Sequence, residues 1–245
     1  MPALTLDQPW MWLITIAAAL LAGFIRGFTG FGGPAIMTLI LVQLYQPITV
    51  LPKVILIDAV SNLKLLPNTW REVDWPVTGV VVVSSLLGAP LGLYLLDTLD
   101  PLVAKRSIAL VAAGSTAIVL LGWRLSRRPS LWAYAAVGLL TGIAMGATYI
   151  ALMLVAFLLA TPARPQTTRA ITVYWACALG VALCIGHFLT GSLSLSDIWR
   201  SALVGIVYLL AAVLGSACFR RASERSFRQA VLWLLMILSG LALVG

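Results

Sequence analysis

Gly23-Phe-Ile-Arg-Gly-Phe-Thr-Gly-Phe-Gly-Gly-Pro34 sets five glycines, one arginine and one proline into twelve residues, with long apolar runs on either side. Inside a membrane the uninterrupted helix is favoured, because every backbone N–H and C=O is then satisfied within the segment. A glycine-rich break at that depth is tolerated only where the backbone lines a cavity or is buried against protein. The stretch therefore predicts a break in a membrane helix and one half of a binding site.

The rest of the composition places it in a bilayer. Hydrophobic residues make up 61% of the chain and charged residues 10%, against roughly 45–50% and ~25% in soluble domains. Mean hydropathy is +1.03, so the expectation is an all-α polytopic membrane protein. No polar connection is long enough to hold a separate catalytic domain. The net charge of +8 does not point to nucleic acid, because the basic residues sit in short loops between apolar runs, the positive-inside pattern. Met1-Pro-Ala-Leu-Thr-Leu-Asp-Gln8 carries no Lys or Arg, unlike the basic start of a secretory signal, and the first run reads as retained.

Outward from the break, the run from Trp10 to Gly27 is followed by a piece from Pro34 to Tyr45. That piece reaches only ~18 Å as a helix, against a ~30 Å hydrocarbon core, so it is half of a broken helix or the return arm of a re-entrant hairpin. Spans follow at Ile48–Leu66, Pro76–Leu96 and Ser107–Trp123, then a linker from Arg124 to Ser130. The second half repeats the order: Leu131–Ala160, interrupted by small residues at Thr141–Thr148, then Ala170–Thr190, Trp199–Phe219 and Phe227–Gly245. An offset of 115 pairs Gly23 with Gly138, Gly27 with Gly142 and Pro47 with Pro162; an offset of 123 pairs Asp74 with Asp197 and Gly92 with Gly215. Two homologous repeats, 1–125 and 126–245, are expected.

Parity decides whether the repeats are parallel or inverted. If each broken segment crosses the membrane once, the loop cations divide nine to five. If each re-enters, ten fall on one side (Arg71, Arg124, Arg127, Arg128, Arg164, Arg169, Arg220, Arg221, Arg225, Arg228) and four on the other (Lys53, Lys105, Arg106, Arg200). The sharper bias favours inverted repeats, with both termini outside and the central linker cytoplasmic.

Gly32-Gly33-Pro34 suits the start of a half-helix, whose free N–H groups and positive dipole end attract an anion. Arg26 stands just before it, a charge that is costly in a bilayer unless paired or solvated. Thr29 offers a hydroxyl beside Gly30, Gly32 and Gly33. In the second half Thr148 and Tyr149 hold the matching place, with Thr148 the expected N-cap of the returning arm. Asp58, Ser61 and Asn62 share one face of the second span. Asp58 either carries a coupling proton or balances Lys64 or Arg26, and both readings stand. The matching second-half positions, Val173 and Cys177, are apolar, so the site is expected to be lopsided. Cys177, Cys184 and His187 share a helical face, but one helix rarely supplies three metal ligands in tetrahedral geometry, and no metal is expected. Cys177 and Cys184 would lie about 10.5 Å apart along a helix, beyond the ~7 Å limit for a disulfide.

Gly27-Phe-Thr-Gly-Phe-Gly-Gly-Pro34 after the first run, Arg71-Glu-Val-Asp-Trp75 after the second span, and the repeated half from Leu131 together resemble the sulfite exporter TauE/SafE family of bacterial membrane transporters. The resemblance covers essentially the whole chain. It implies a multi-pass protein of the bacterial inner or plasma membrane that moves small anions, often sulfur-containing, such as sulfite or sulfonates. No cofactor is implied, and no nucleotide-binding loop is present to drive transport with ATP. The partners expected are a small anionic substrate and the bilayer, with self-association into a homo-oligomer left open. The competing readings are a passive anion channel, an intramembrane enzyme acting on a lipid phosphate, and a non-transporting anchoring protein.

Overall fold

The computed structural model describes residues 9–29, 32–122, 124–189, 191, 193–219 and 224–244. They form α1 (Pro9–Thr29), α2 (Gly33–Leu41), α3 (Pro47–Thr69), a 3-10 turn at Trp70–Glu72, α4 (Trp75–Thr98) and α5 (Pro101–Leu121). A second series follows: α6 (Leu131–Thr148), α7 (Leu152–Ala160), α8 (Pro165–Leu189), α9 (Leu195–Phe219) and α10 (Glu224–Val244). No strand occurs among the described residues, and six of their helices are long and apolar enough to cross a membrane. Leu13, Leu87, Leu121, Leu189 and Leu214 are exposed on the outside of the bundle, where lipid rather than water is the expected neighbour.

Helix starts follow from local chemistry. Asp74, in the Val-Asp-Trp segment, caps α4 by accepting from Val77 N–H, and Pro76 fits the first turn, where no N–H is required. Asp100 caps α5 in the same way, accepting from Leu102 N–H at 2.8 Å. Ser194 and Asp197 exchange hydrogen bonds at the start of α9, with Ser194 Oγ accepting from Asp197 N–H at 3.2 Å and Asp197 accepting from Ser194 N–H at 3.2 Å. That is a capping box with Asp in the acidic position.

The glycine-rich stretch is narrower as a break than its sequence suggests. α1 continues through Gly23 and Gly27 as far as Thr29. Those two glycines allow close packing instead: a Cβ on Gly27 would overlap the Ala212 carbonyl of α9, and one on Gly23 the Tyr208 carbonyl. The same device joins α6 to α4, where a Cβ on Gly142 would overlap the Ser85 carbonyl and one on Gly146 the Ala89 carbonyl. Small residues spaced by four let membrane helices approach backbone to backbone. The first member of each series therefore packs on the fourth member of the other.

Directions follow from these contacts. α1 and α9 run parallel, since Gly23 meets Tyr208 and Gly27 meets Ala212; α4 and α6 run parallel, since Gly88 meets Leu139 and Gly92 meets Ile143. α3 runs against α8: Ile48, at the start of α3, shares a cavity with Gly186 and His187, at the end of α8, while Leu66 accepts a hydrogen bond from Tyr174. α1, α3 and α9 thus begin at one end of the bundle, and α4, α6 and α8 begin at the other. Lys53, Lys105, Arg106 and Arg200 lie at the first end; Arg71, Arg124, Arg127, Arg128, Arg164 and Arg169 lie at the second. Arg220 and Arg221 fall outside the described residues.

Both short helices return toward the start of the helix before them. Leu41 and Tyr45, at the end of α2, share a small cavity with Trp12 and Thr15 of α1. Leu158 and Thr161, at the end of α7, share one with Leu131 and Tyr134 of α6. α2 and α7 are enclosed by their neighbours, with Ile36, Met37, Leu39, Leu152, Leu154 and Leu158 buried.

Candidate functional site

Midway along α3, Asp58, Ser61 and Asn62 are all buried. Asn62 Nδ2 donates to Asp58 Oδ2 at 2.8 Å, the i to i+4 contact that helix spacing permits. Arg26, 7% exposed on α1, donates from Nη2 to Asn62 Oδ1 at 2.6 Å. Its Nε lies 3.5 Å from Asp58 Oδ1. Tyr208 of α9 donates its hydroxyl to the same Asp58 oxygen at 3.0 Å. Three helices thus meet at one carboxylate. Of the two partners the sequence offered Asp58, the structure supplies Arg26; the Lys64 side chain is outside the described residues.

Beside the cluster lies a cavity of ≈ 30 Å³, room for roughly two waters. Arg26 and Asp58 form its charged side, Gly32, Pro34 and Ala35 bring the start of α2, and Ala151, Leu152 and Val155 bring the start of α7. Gly32, left-handed at φ 83°, turns the chain into α2. Gly33 must be glycine for a different reason. A Cβ there would collide with the Tyr208 hydroxyl, the Ala22 carbonyl and the Arg26 side chain.

At the second break Tyr149 takes the turning role at φ 53°, the one non-glycine residue with positive φ among those described. Its buried ring lines the cavity. Thr148 does not cap α7, contrary to expectation. It closes α6, donating to Ala144 C=O at 2.7 Å and accepting from Ile150 N–H at 3.3 Å, while Ala151 occupies the cap position without a side-chain bond. An αL residue ends a helix and leaves the next to begin past it, which displaces the cap by three positions.

Arg26, Asn62, Gly32, Gly33 and Tyr149 are therefore brought together at or beside the cavity, with Thr148 one residue away. Gly30 and the Thr29 side chain lie outside the described residues. His187 is buried elsewhere, in a ≈ 360 Å³ cavity with Tyr94 and Asp97 near the end of α8. Sequence reasoning missed Tyr208 and Trp175. Trp175 lines the cavity and donates Nε1–H to Ser85 Oγ at 2.8 Å. Each is an aromatic with a polar tip inside an apolar run, and such tips require a partner when buried; that was the available signal.

Two ion pairs flank the centre. Lys53 meets Asp197 at 2.9 Å beside a ≈ 40 Å³ cavity at the end where α1 begins. Asp74 meets Arg128 at a looser 3.9 Å beside a ≈ 300 Å³ cavity at the opposite end.

A buried arginine and acid between two helix breaks is the arrangement expected of a membrane transporter, and the sulfite exporter TauE/SafE family model matches residues 15–243. The chain belongs to that family. No curated protein and no solved structure matches it. Membership makes it one of a family of multi-pass membrane transporters named for sulfite export.

Proposed function

We propose that the chain is a secondary transporter carrying a small anion, sulfur-containing as the family name suggests, by alternating access through the central cavity. The observation that carries this reading is Arg26, a buried guanidinium facing a cavity on which the starts of two short helices converge. Helix starts offer free N–H groups and a positive dipole end, and half-helices aimed at a mid-membrane substrate recur in transporters built from repeats.

The reading includes two inverted repeats, 1–125 and 126–245, each a re-entrant hairpin followed by three spanning helices. The matched order of element lengths supports it, as does the exchange of packing partners between α1 on α9 and α6 on α4. The ten-to-four division of loop cations supports a cytoplasmic central linker, with the start of α1 and the end of α10 outside. Alternating access is supported by the flanking ion pairs. Leu158 of α7 and Ile171 of α8 line the larger cavity, and Val155 and Thr172 of the same two helices line the central one. On this reading the tight Lys53–Asp197 pair closes the outer side, and the looser Asp74–Arg128 pair leaves the inner side parted.

The test is anion flux into proteoliposomes with sulfite, sulfonates and carboxylates. Arg26→Ala is expected to abolish transport. Failure of all three anion classes to move in the wild type would remove the transporter reading; unchanged flux in Arg26→Ala would remove the site.

A further inference from the structure

The central cluster is electrically balanced as it stands, and that balance limits what can join it. Around Asp58 the charged and titratable groups are Arg26 from α1, Tyr208 from α9, Tyr149 from the second break and Cys177 from α8, while the exposed Arg169 of α8 acts on Arg26 from outside the cavity lining. Among the described residues lining the cavity, Arg26 is the single cation and Asp58 the single acid. Much of the remaining wall is apolar, with Met145, Leu152, Val155, Trp175 and Ala176, while Tyr149, Thr172 and the two helix starts add dipoles but no charge. An anion arriving alone would leave a net negative charge buried in apolar surroundings, where an uncompensated ion is strongly disfavoured. It would also meet a guanidinium already held by Asp58 and Asn62.

Resting on the reading of this cavity as the substrate site, we propose that it takes a singly charged anion together with one proton on Asp58, so that transport moves no net charge. The proton adds to the Asp58 carboxylate at Oδ1. The new O–H donates to the Tyr208 oxygen, since a tyrosine hydroxyl both donates and accepts. Asp58, now neutral, releases the Arg26 guanidinium, whose N–H groups turn to the oxygens of the anion. Arg26 keeps its charge throughout. The centre holds +1 and −1 before binding and +1 and −1 after it, and release on the other side reverses both steps. A doubly charged anion breaks this balance. Sulfite would travel in its singly protonated form, and sulfate would be rejected.

The full chain in proteoliposomes tests this, with methanesulfonate, bisulfite and sulfate as probes, a pH-sensitive dye inside, and the potential set by potassium and valinomycin. Methanesulfonate and bisulfite are expected to enter with one proton each, at rates that change less than twofold when the potential is reversed. Sulfate is expected to enter at least tenfold more slowly. A carrier moving one net charge would change its rate about tenfold or more under the same reversal, and that result overturns the proposal, as does sulfate entering as fast as methanesulfonate. Asp58→Asn is expected to lower proton uptake at least tenfold, and undiminished uptake in that variant overturns it too. The wild-type response to potential decides the matter even if the variant does not fold. If no probe moves at all, the transporter reading fails rather than its charge balance.

Discussion

At the first break α1 gives way to α2 through Gly32 at φ 83°, and at the second α6 gives way to α7 through Tyr149 at φ 53°. Both turns are left-handed, and both short helices run nine residues. The longer helices before them pack through glycines on exchanged partners, α1 on α9 and α6 on α4. The side chains at the two breaks differ. The offset of 115 that pairs Gly27 with Gly142 sets Thr141 against Arg26, and Thr141 Oγ1 is buried with no hydrogen-bond partner. The offset of 123 sets Ser85 against Tyr208; Tyr208 donates to a carboxylate, whereas Ser85 accepts from Trp175 and donates to Gly138 C=O. A backbone plan can thus be shared while one half alone carries the charge. On the transport reading, the cavity between the breaks offers an anion one cation, not two, among its described lining residues.

The largest effect expected is at Arg26. Removing one partner of a buried ion pair costs about 3–5 kcal/mol, so Arg26→Ala should lower the unfolding temperature sharply in detergent and end transport. Arg26→Met with Asp58→Asn should recover most of the stability without recovering transport, because the lone buried charge is gone but the anion has no cation to meet. Thr141→Val should leave both readouts within about 0.5 kcal/mol of wild type, since the hydroxyl it removes has no partner. Equal damage at 26 and 141 would erase the contrast between the halves.

Next in size are the packing glycines, where the halves should behave alike. Gly27→Val and Gly142→Val each drive a side chain into a backbone carbonyl of the facing helix. Overpacking of this kind costs about 3 kcal/mol, or a fall of roughly 6–12 °C in unfolding temperature for a chain of this size. Thermal unfolding of the two variants side by side checks it. A valine tolerated at one site and not the other would show that the exchanged contacts are not equivalent.

Much of this was legible in the sequence, and the parts that were not share a cause. Arg26 and Asp58 stood out because a charge in an apolar run demands an explanation. The span expected from Pro76 begins one residue earlier, at Trp75, as α4. Gly23 and Gly27 read as part of the break, although α1 runs through both, because glycine serves equally to break a helix and to let another backbone approach. Only the positions of Ala212 and Tyr208 decide between those uses. Tyr208 and Trp175 were hidden for the same reason: an aromatic in a hydrophobic run reads as core until its polar tip is seen to reach Asp58 or Ser85. Thr148 looked like a cap because the αL turn at Tyr149, unusual for a bulky residue, could not be read from residue type. Apart from the pairing of Arg26 with Asp58, which their charges suggested, contacts that required a second helix were not visible.

The smallest contrast is the most discriminating. Tyr208→Phe removes the donor to Asp58 Oδ1, and Trp175→Phe removes the donor to Ser85 Oγ. Each loses one buried hydrogen bond, worth about 1 kcal/mol between neutral partners and about 1.5–3 kcal/mol to a charged one, so unfolding temperatures should fall by a few degrees in both, further in Tyr208→Phe. Ser85 keeps its bond to Gly138 C=O in the Trp175 variant, and neither partner of the lost bond is charged. Asp58 keeps Asn62 and Arg26 in the Tyr208 variant, and loses the oxygen that would accept a hydrogen bond from its protonated carboxyl. The number of protons taken up per anion moved should therefore drop several-fold in Tyr208→Phe and hold within twofold in Trp175→Phe. If both variants lose uptake equally, the tyrosine acts only as packing, and the difference between the two halves lies in Arg26 and Asp58 alone.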